Sequence, residues 1–379
     1  MDNKKIVLAI DSFKGSASSW TIGEYVRDGI SKIVPEANFS IIPIADGGEG
    51  TVEAIVTARK GQFHKVSVCG PLGDSVEATY GMIDGNIAVL EMAAASGITL
   101  VPKSALNPMK ASTFGTGQMV LDAVAHGAKE IYMGIGGSAT NDGGMGLACA
   151  LGVQFLDEEG HELPPAAESL GKVAHIVTDT MDPRLKDVKF TILCDVDNPL
   201  CGPHGASHIF GKQKGADEDM RNVLDDYLRH YADVIKTDLG IDVVAVPGAG
   251  AAGGLGAGMM AFVQAEKMRG IEAVMMLIRM EEQLQGADLV VTGEGRMDNQ
   301  TAYGKAPVGV AALAAQQRIP VIAVVGGVAL DTENVYDKGI SLVIPIVNEP
   351  MSLDVAMENV QALATNAGKS IGRIVKTWI

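Results

Sequence analysis

Apolar runs and segments with helical spacing alternate along the first 60 residues. The runs KIVLAI and FSIIPI are apolar at nearly every position, which is typical of strands that are covered on both faces. Between them, apolar residues recur every three or four positions, at Ile22, Val26, Ile30 and Ile33. This spacing predicts a helix, and a second helical segment begins near Thr51. The order β-α-β-α predicts a parallel sheet.

The last hundred residues repeat this alternation. The apolar runs ADLVVTG, PVIAVVGG and SLVIPIV predict further strands. The segment PVGVAALAAQQR and a longer stretch from about Leu353 predict the helices that accompany them. The two ends of the chain therefore predict one doubly wound, Rossmann- or flavodoxin-like parallel sheet.

The middle of the chain has a different pattern. In KVSVCGPLGDSVEATYGMIDGNIAVLEMA, two extended runs flank Asp84 and Gly85, and an Asp-Gly pair between such runs indicates a β-hairpin. Hairpins occur in antiparallel or mixed sheets, so we expect a second, mixed-sheet α/β domain inserted in the first. The predicted limits are 1–65 and 283–379 for the parallel domain and 66–282 for the inserted domain, with the active site in the cleft between them.

Composition and charge indicate a folded protein that does not bind nucleic acid. A chain of 379 residues is long for one hydrophobic core, and 47% hydrophobic against 20% charged residues excludes disorder. The formal net charge is −16 and no long Lys/Arg block occurs, which argues against nucleic acid as a partner. An anionic substrate must therefore be held by local cations, backbone amides or a metal ion.

Cysteine usage and apolar segments predict a cytoplasmic protein that does not cross a membrane. The cysteines form no CxxC pair, which is typical of reduced thiols rather than of a zinc or redox site. The start MDNKKIVLAIDSF has no long apolar region and predicts no signal peptide. The uncharged run 243–265 contains Pro247 and several glycines, too many turn residues for a membrane-spanning helix.

The segment GIGGSATNDGG, residues 134–144, is the first candidate for chemistry. Glycine lets backbone amides approach an anion closely, and a helix that begins directly afterwards adds partial positive charge. These features predict a phosphate-binding loop, with Asp142 available to a metal ion. A tight strand-to-helix turn, capped by Asn141 or Asp142, is the alternative. The predicted phosphate-binding residues are Gly136, Gly137, Ser138, Thr140, Asn141 and Gly143.

A second glycine-rich segment, PGAGAAGG, follows the strand-like run IDVVAV. Its residues 248–253 match the pattern GxGxxG, which would support a dinucleotide-binding turn. In a glycine-rich chain one such match is weak evidence, and Pro247 directly before it does not suit that turn. The candidate phosphate-binding residues of this segment are Gly248, Gly250, Gly253 and Gly254.

Polar and charged residues follow the predicted strands, at the edge where open parallel sheets bind ligands. They are Ser12 and Lys14; Asp46, Gly47, Gly48 and Glu49; Asp195; and Glu294, Arg296 and Asp298. Lys14 and Arg296 are cations where an anionic substrate needs them, and Asp46 and Glu49 are suited to hold Mg²⁺ or accept a proton. The alternatives are helix capping for the acids and surface ion pairs for the cations.

Taken together, these segments resemble the bacterial glycerate kinase family of type 1. The stretches that carry the resemblance run in order from residue 11 to residue 298: DSFKGS, IPIADGGEGTVEA, GPLGD, EMAAASGI, GTGQ, IGGSATNDGG, DPRL, CDVDNPL, GASHIFGKQKGA, PGAGAAGGLGAG and TGEGRMD. Lys212 stands where the family pattern has proline, and Met297 where it has a branched aliphatic residue. The resemblance implies ATP-dependent phosphorylation of D-glycerate, commonly at the 2-hydroxyl, by two α/β domains of which one is inserted in the other.

On this reading, phosphoryl transfer requires alignment and neutralisation of charge. We expect both glycine-rich segments to bind ATP phosphates and Mg²⁺ to be held by Asp46, Glu49 or Asp142. Lys14 and Arg296 would hold the glycerate carboxylate or stabilise the transferring group, and Asp195 or Asp298 would deprotonate the attacking hydroxyl. Ser12, Gly47, Gly48 and Glu294 complete the predicted substrate site.

Several alternatives stay open at this point. Phosphorylation at the 3-hydroxyl would give 3-phosphoglycerate. An NAD-dependent oxidoreductase would rest on residues 248–253, and a non-catalytic binding protein would also close over an anion. The sequence leaves open the preferred divalent ion, the adenine pocket and the oligomeric state, a homodimer included.

Overall fold

The structure is a computed structural model that describes residues 3–379. The chain divides into two compact units, of which unit 1 comprises Met1–Asp46, Glu53–Arg59 and Ile271–Ile379. Unit 2 comprises Gly47–Val52 and Lys60–Gly270, and most of it is one continuous insertion in the sequence of unit 1. The domain limits at 65/66 and 282/283 stay a prediction.

Strands and helices alternate through most of the described chain. In chain order the strands are β1 (Lys5–Ile10), β2 (Asn38–Ile41), β3 (Gln62–Cys69), β4 (Ser75–Ile83), β5 (Ile87–Glu91), β6 (Glu130–Gly134), β7 (Gln154–Leu156), β8 (His175–Val177), β9 (Lys189–Leu193), β10 (Glu266–Met268), β11 (Leu289–Met297), β12 (Val321–Val328) and β13 (Leu342–Pro345). The α-helices are α1 (Ser19–Ser31), α2 (Thr51–Arg59), α3 (Ala93–Ser96), α4 (Phe114–Ala125), α5 (Met145–Ala150), α6 (Ala206–Phe210), α7 (Glu218–Leu239), α8 (Ala251–Phe262), α9 (Gly270–Leu277), α10 (Met280–Leu284), α11 (Ala306–Gln316), α12 (Leu353–Glu358) and α13 (Val360–Trp378).

Unit 1 is built on a parallel sheet with the strand order β13-β12-β11-β1-β2. This is the flavodoxin-like order, in which the direction of winding reverses between β1 and β11. Alternate residues of β1, namely Ile6, Leu8 and Ile10, face a core that they share with α1 and α13. Helix α11 contacts β1 and β11. The predicted doubly wound parallel sheet is confirmed.

The strands β1 and β11 separate at their carboxyl ends. Their pairing ends at Ile10 and Gly293, and the Asp11 amide donates the last bond to the Gly293 carbonyl over 2.9 Å. Strand β11 continues to Met297 along β12 only. Open parallel sheets bind ligands where the winding reverses, so the position beside Asp11 is where a ligand is expected.

Unit 2 contains a mixed sheet with the strand order β10-β9-β6-β5-β4-β3. Strands β5, β6, β9 and β10 are parallel, whereas β3, β4 and β5 form an antiparallel meander. Asp84 and Gly85 connect β4 to β5 with φ angles of 52° and 79°, the left-handed pair that a tight hairpin requires. The predicted mixed sheet and its hairpin are confirmed.

None of the helices within residues 3–379 is long and apolar enough to cross a membrane. The uncharged run that includes Pro247 forms no long helix. Helix α8 begins only at Ala251, and its first turn contains residues in the left-handed conformation.

Candidate active site

Asp11 is a half-buried carboxylate at the reversal point of the unit 1 sheet. It directly follows β1, and its Oδ1 accepts a hydrogen bond of 2.6 Å from the Ser12 amide. Burial, with the neighbouring Asp46 carboxylate, raises the pKa of Asp11 from 3.8 to about 7, and Lys14 opposes this shift. The carboxylates of Asp11 and Asp46 therefore lie near each other in unit 1, after strands where the sequence predicted a ligand-binding site.

Glu294 lies on β11, on the other side of this reversal point, and is buried. Its Oε1 accepts a bond of 2.5 Å from the Thr301 hydroxyl, and its Oε2 lies 3.5 Å from Lys305 Nζ. Burial raises the pKa of Glu294, and the bonds from Thr301 and Lys305 oppose the rise. Sequence reasoning missed Lys305, which lies in an ordinary helix-start pattern.

Asp298 has a structural task in addition to any chemistry. Its Oδ1 accepts a bond of 3.0 Å from the Gln300 amide and lies 3.4 Å from Lys305 Nζ. It thereby caps the 3₁₀ turn Asn299–Tyr303. This agrees with the capping alternative for strand-end acids.

The two predicted substrate-binding cations follow neighbouring strands of unit 1. Lys14 comes after β1 and is exposed, and Arg296 lies near the end of β11, opposite Gly327, and is also exposed. Parallel strands end at one edge of a sheet, so both cations are at the edge that contains Asp11 and Glu294. This edge offers positive charge to a ligand that approaches from solvent.

In unit 2 the predicted phosphate-binding loop connects β6 to α5, at the carboxyl end of a parallel strand. Gly136 and Gly137 are exposed, whereas Ser138 is 6% exposed and the residues that follow are buried. Gly137 has a φ of 72°, a conformation that favours glycine. The accessible part of the loop is therefore its first glycine pair.

The structure brings the two glycine-rich segments together. The Gly143 amide donates to the Gly253 carbonyl over 3.0 Å, and a Cβ on Gly254 would lie 2.8 Å from Gly143 Cα. Both contacts are buried, so these glycines serve close backbone packing in this structure. Gly250 is bound to a different loop, because its amide donates to the Asn198 carbonyl over 3.0 Å.

The dinucleotide reading of residues 248–253 is not supported by its structural context. The preceding run, residues 241–246, forms no strand, although a dinucleotide-binding turn follows one. Ala252, Gly253 and Gly254 have left-handed backbone angles, which interrupt the start of α8. The strand predicted from the β-branched run IDVVAV was wrong, because a hydrophobic pattern does not ensure a pairing partner.

Asp142 is an interior carboxylate, and its role as a metal ligand stays a prediction. Its side chain is fully buried, and its Oδ2 accepts bonds of 2.7 Å from the Thr113 amide and of 2.7 Å from the Thr113 hydroxyl. The amides of Gly144 and Gly146 also donate to this carboxylate, each over 3.2 Å. Burial raises its pKa, and the Thr113 bonds oppose the rise. The carboxylate holds the start of α5, as the capping alternative expects.

Asn141 and Thr140 are likewise interior residues. Asn141 Nδ2 donates to Ser207 Oγ over 3.0 Å, and within the described chain its buried Oδ1 has no hydrogen-bond partner. The Thr140 hydroxyl donates to the Ala252 carbonyl over 3.5 Å. Both side chains therefore connect the loop to its surroundings.

Lys214 is a residue of this loop region that sequence reasoning missed. It is 1% exposed, and its Nζ donates to Ser138 Oγ over 2.7 Å and to the Thr140 carbonyl over 2.6 Å. Burial lowers its pKa from 10.5 to about 7, and Asp142 opposes this. The motif GKQKGA has the charge pattern of a solvated turn, so no local signal distinguishes Lys214 from the exposed Lys212.

Asp195 follows β9 at the same end of the unit 2 sheet as the loop after β6. Its Oδ1 accepts a bond of 3.1 Å from the Gly270 amide and lies 3.9 Å from Arg269 Nε. Lys267 forms an ion pair with Asp197 and donates to the Val196 carbonyl over 3.0 Å. The cations Lys267 and Arg269, which sequence reasoning missed, thus surround this acid loop.

The segment ADGGEGT divides between the units at Asp46 and Gly47. In unit 2, Gly47 has a φ of 95° and packs closely on Gly270, and the Thr51 hydroxyl donates to the Gly48 carbonyl over 2.7 Å. Glu49 is exposed and helps to raise the pKa of Glu91, for which burial is the main cause. Gly47 and Asp195 thus share one neighbour, Gly270.

Comparisons with known proteins agree with the motifs. The sequence pattern described as the Glycerate kinase family matches residues 6–376. The chain is 47% identical to a glycerate kinase of Halalkalibacterium halodurans over 98% of each chain. It is 45% identical to a glycerate 2-kinase of Escherichia coli over 97% of each. A crystal structure assigned to glycerate kinase 2 of Salmonella typhimurium superposes with a TM-score of 0.91 at 41% identity, over 99% of each chain. These findings confirm the resemblance inferred from the motifs.

Proposed function

Because the chain belongs to the glycerate kinase family, we propose that it transfers the γ-phosphate of ATP to the 2-hydroxyl of D-glycerate. The name of the Escherichia coli relative, a glycerate 2-kinase, supports the 2-hydroxyl rather than the 3-hydroxyl. The structural observation that carries the proposal is the pair of exposed cations, Lys14 and Arg296, beside the acids Asp11 and Glu294 at the reversal point of the sheet.

The reaction forms one bond and breaks one. The glycerate hydroxyl oxygen bonds to the γ-phosphorus, and the bond from that phosphorus to the β,γ-bridging oxygen breaks, so ADP leaves. The hydroxyl proton passes to a carboxylate. Phosphoryl transfer needs alignment and compensation of negative charge more than covalent help, and the charged groups described above suit those needs.

Lys14 and Arg296 are the residues that we assign to the glycerate carboxylate. Arg296 has a planar guanidinium that can bind a carboxylate through two parallel hydrogen bonds. Ser12 follows Asp11, and its hydroxyl is suited to a substrate hydroxyl. Glu294 would contact substrate only indirectly, because Thr301 and Lys305 already bind its carboxylate.

Asp195 and Asp298 are the candidates for the general base. Oδ1 of Asp195 accepts a hydrogen bond from the Gly270 amide, and Oδ1 of Asp298 accepts one from the Gln300 amide. A backbone amide that binds one oxygen orients the carboxylate, which a general base requires. Substitution of each aspartate, described in the Discussion, decides between them.

Magnesium fits the carboxylates of unit 1. The pKa of Asp11 rises to about 7 through burial and the adjacent Asp46, which is the effect of acids that lie together. Oxygen donors of this type are those that Mg²⁺ prefers, and Asp46, with Asp11, would hold it. Glu49 belongs to unit 2, and its role as a metal ligand stays a prediction from the sequence. When bound, Mg²⁺ neutralises charge on the ATP phosphates. We leave Asp142 out of this set because Thr113 already donates two hydrogen bonds to its buried carboxylate.

For the ATP phosphates we assign the backbone amides of the exposed residues Gly136 and Gly137, next to Ser138. Thr140, Asn141 and Gly143 act as the buried support of this pair rather than as direct contacts. The segment 248–254 packs against that support through Gly253 and Gly254. The homodimer and the cytoplasmic location stay predictions from the sequence.

The decisive experiment is ³¹P NMR of the purified protein with ATP, Mg²⁺ and D-glycerate. A new phosphoester doublet, from coupling to a single proton, would establish transfer to the 2-hydroxyl. A triplet would mean transfer to the 3-hydroxyl. Unchanged ATP would contradict the kinase activity, and glycerate binding without turnover would favour a binding protein.

A further inference from the structure

Lys214 is an interior lysine whose ammonium is held by two atoms of the loop after β6. Its Nζ donates to Ser138 Oγ over 2.7 Å and to the Thr140 carbonyl over 2.6 Å. Burying an ammonium is costly, and an apolar side chain would fill the same space at lower cost. Lys212, two positions earlier in the sequence, is exposed to solvent.

The loop that Lys214 contacts is also fixed from its other side. The Ile98 amide donates to the Gly137 carbonyl over 2.8 Å, and the Ala139 amide donates to the Ser96 carbonyl over 3.0 Å. Ser138 lies between these two bonds, and its side chain binds Lys214. The exposed pair of Gly136 and Gly137 comes directly before this fixed point.

We propose that Lys214 is a positioning residue for ATP, which acts by fixing Ser138 and Thr140 so that the amides of Gly136 and Gly137 are held in place for the phosphates. This inference rests on the proposed function. Donors that are fixed before the ligand arrives bind an anion without further loss of entropy.

This role differs from contact with substrate. Lys214 binds the loop and not the reacting groups, so its loss weakens ATP binding and leaves glycerate binding unchanged. A lysine with a merely structural role would change the stability of the protein or both affinities together. The ratio of the two affinities therefore distinguishes the two roles.

The test compares Lys214→Met with Lys212→Met. Calorimetry with the analogue AMP-PNP and Mg²⁺ measures nucleotide binding, and steady-state kinetics measure both KM values. We expect at least about tenfold weaker nucleotide binding for K214M, a glycerate KM within about twofold of the wild type, and no change for K212M. Nucleotide binding within twofold of the wild type, or an equal rise of both KM values, would overturn the proposal.

A second variant covers the case in which K214M does not fold. Ser138→Ala keeps the lysine and removes one of its acceptors, so the same selective loss of nucleotide affinity is expected, in the range of three- to tenfold. A folded S138A that binds AMP-PNP as the wild type does would contradict the proposal. A wild type that binds AMP-PNP and makes no glycerate ester would refute the proposed function alone.

Discussion

The Thr301 hydroxyl donates a hydrogen bond of 2.5 Å to Oε1 of Glu294, and both side chains are buried. Thr301 belongs to the turn that Asp298 caps, and Lys305 lies 3.5 Å from the second carboxylate oxygen of Glu294. The turn after β11 thus supports the acid at the reversal point of the unit 1 sheet.

Thr301→Val removes that donor and keeps the shape of the side chain. Removal of a hydrogen bond from a buried carboxylate destabilises a protein by about 1–3 kcal/mol, so the free energy of unfolding should fall by that amount. Urea denaturation measures it. Thr237→Val is the control, since Thr237 is exposed, and it should change the stability by less than about 0.5 kcal/mol. Equal losses in the two variants would contradict the assignment.

Asp11 should make the protein less stable as the pH rises from about 4 to above 7. Its pKa is about 7 in the folded state and 3.8 as its ordinary value, so in this range the folded state binds more protons than the unfolded state. Stability from this group is therefore present at low pH and lost as the pH passes 7. In Asp11→Asn this contribution is absent.

The measurement is urea denaturation of the wild type and D11N at pH 5 and pH 8, without divalent ions. The free energy of unfolding at pH 8 minus that at pH 5 should be more negative in the wild type than in D11N. Parallel pH profiles for the two proteins would show that Asp11 does not titrate in this range.

Asp142→Asn should destabilise the fold by about 3 kcal/mol, equally with and without Mg²⁺. The substitution leaves buried donors without an acceptor, and each such loss costs about 1–3 kcal/mol. Thermal and urea unfolding in EDTA and in excess Mg²⁺ give the comparison. A loss confined to the samples that contain Mg²⁺ would restore Asp142 as a metal ligand.

Asp195→Asn and Asp298→Asn identify the general base. Loss of a positioned base lowers kcat by about 10²–10⁴-fold, so one variant should show that loss with an unchanged KM for ATP. The other should keep kcat within about tenfold of the wild type. If both variants retain kcat, the proton passes to a different group.

Arg296→Lys should raise the KM for glycerate by about tenfold, equivalent to about 1.4 kcal/mol, because lysine keeps the charge and loses the two parallel hydrogen bonds. The KM for ATP should stay unchanged. Arg318→Lys is the matched control, since Arg318 is also exposed. A rise in the KM for ATP alone would reassign Arg296 to the nucleotide.

Local patterns predicted the parts of the fold that local physics determines. The stripe from Ile22 to Ile30 is the buried face of α1, and the pair Asp84–Gly85 forms the hairpin turn. Side-chain spacing and turn conformation depend on neighbours in the sequence, so one chain suffices to predict them. The exposed positions of Lys14 and Arg296 follow in the same way from strand ends.

Burial of polar side chains depends on distant segments and was not predictable. Lys214 and Lys212 occupy similar sequence surroundings, yet only Lys214 meets Ser138, 76 positions away. Asp142 is bound by Thr113, 29 positions away. The sequence motifs indicated the family, but a structural role for each acid required the hydrogen bonds that only the folded chain brings together.

The insertion described above has a consequence for synthesis on the ribosome. The Lys5 amide donates to the Asp288 carboxylate, 283 positions along the chain, and β1 pairs with β2 on one side and β11 on the other. At about 5–20 residues per second, β1 waits roughly 15–60 s for that second neighbour. Unit 2 leaves the ribosome complete in the meantime. The nascent chain therefore carries an unpaired apolar strand edge through most of translation, which is the period when it is exposed to aggregation and to chaperones.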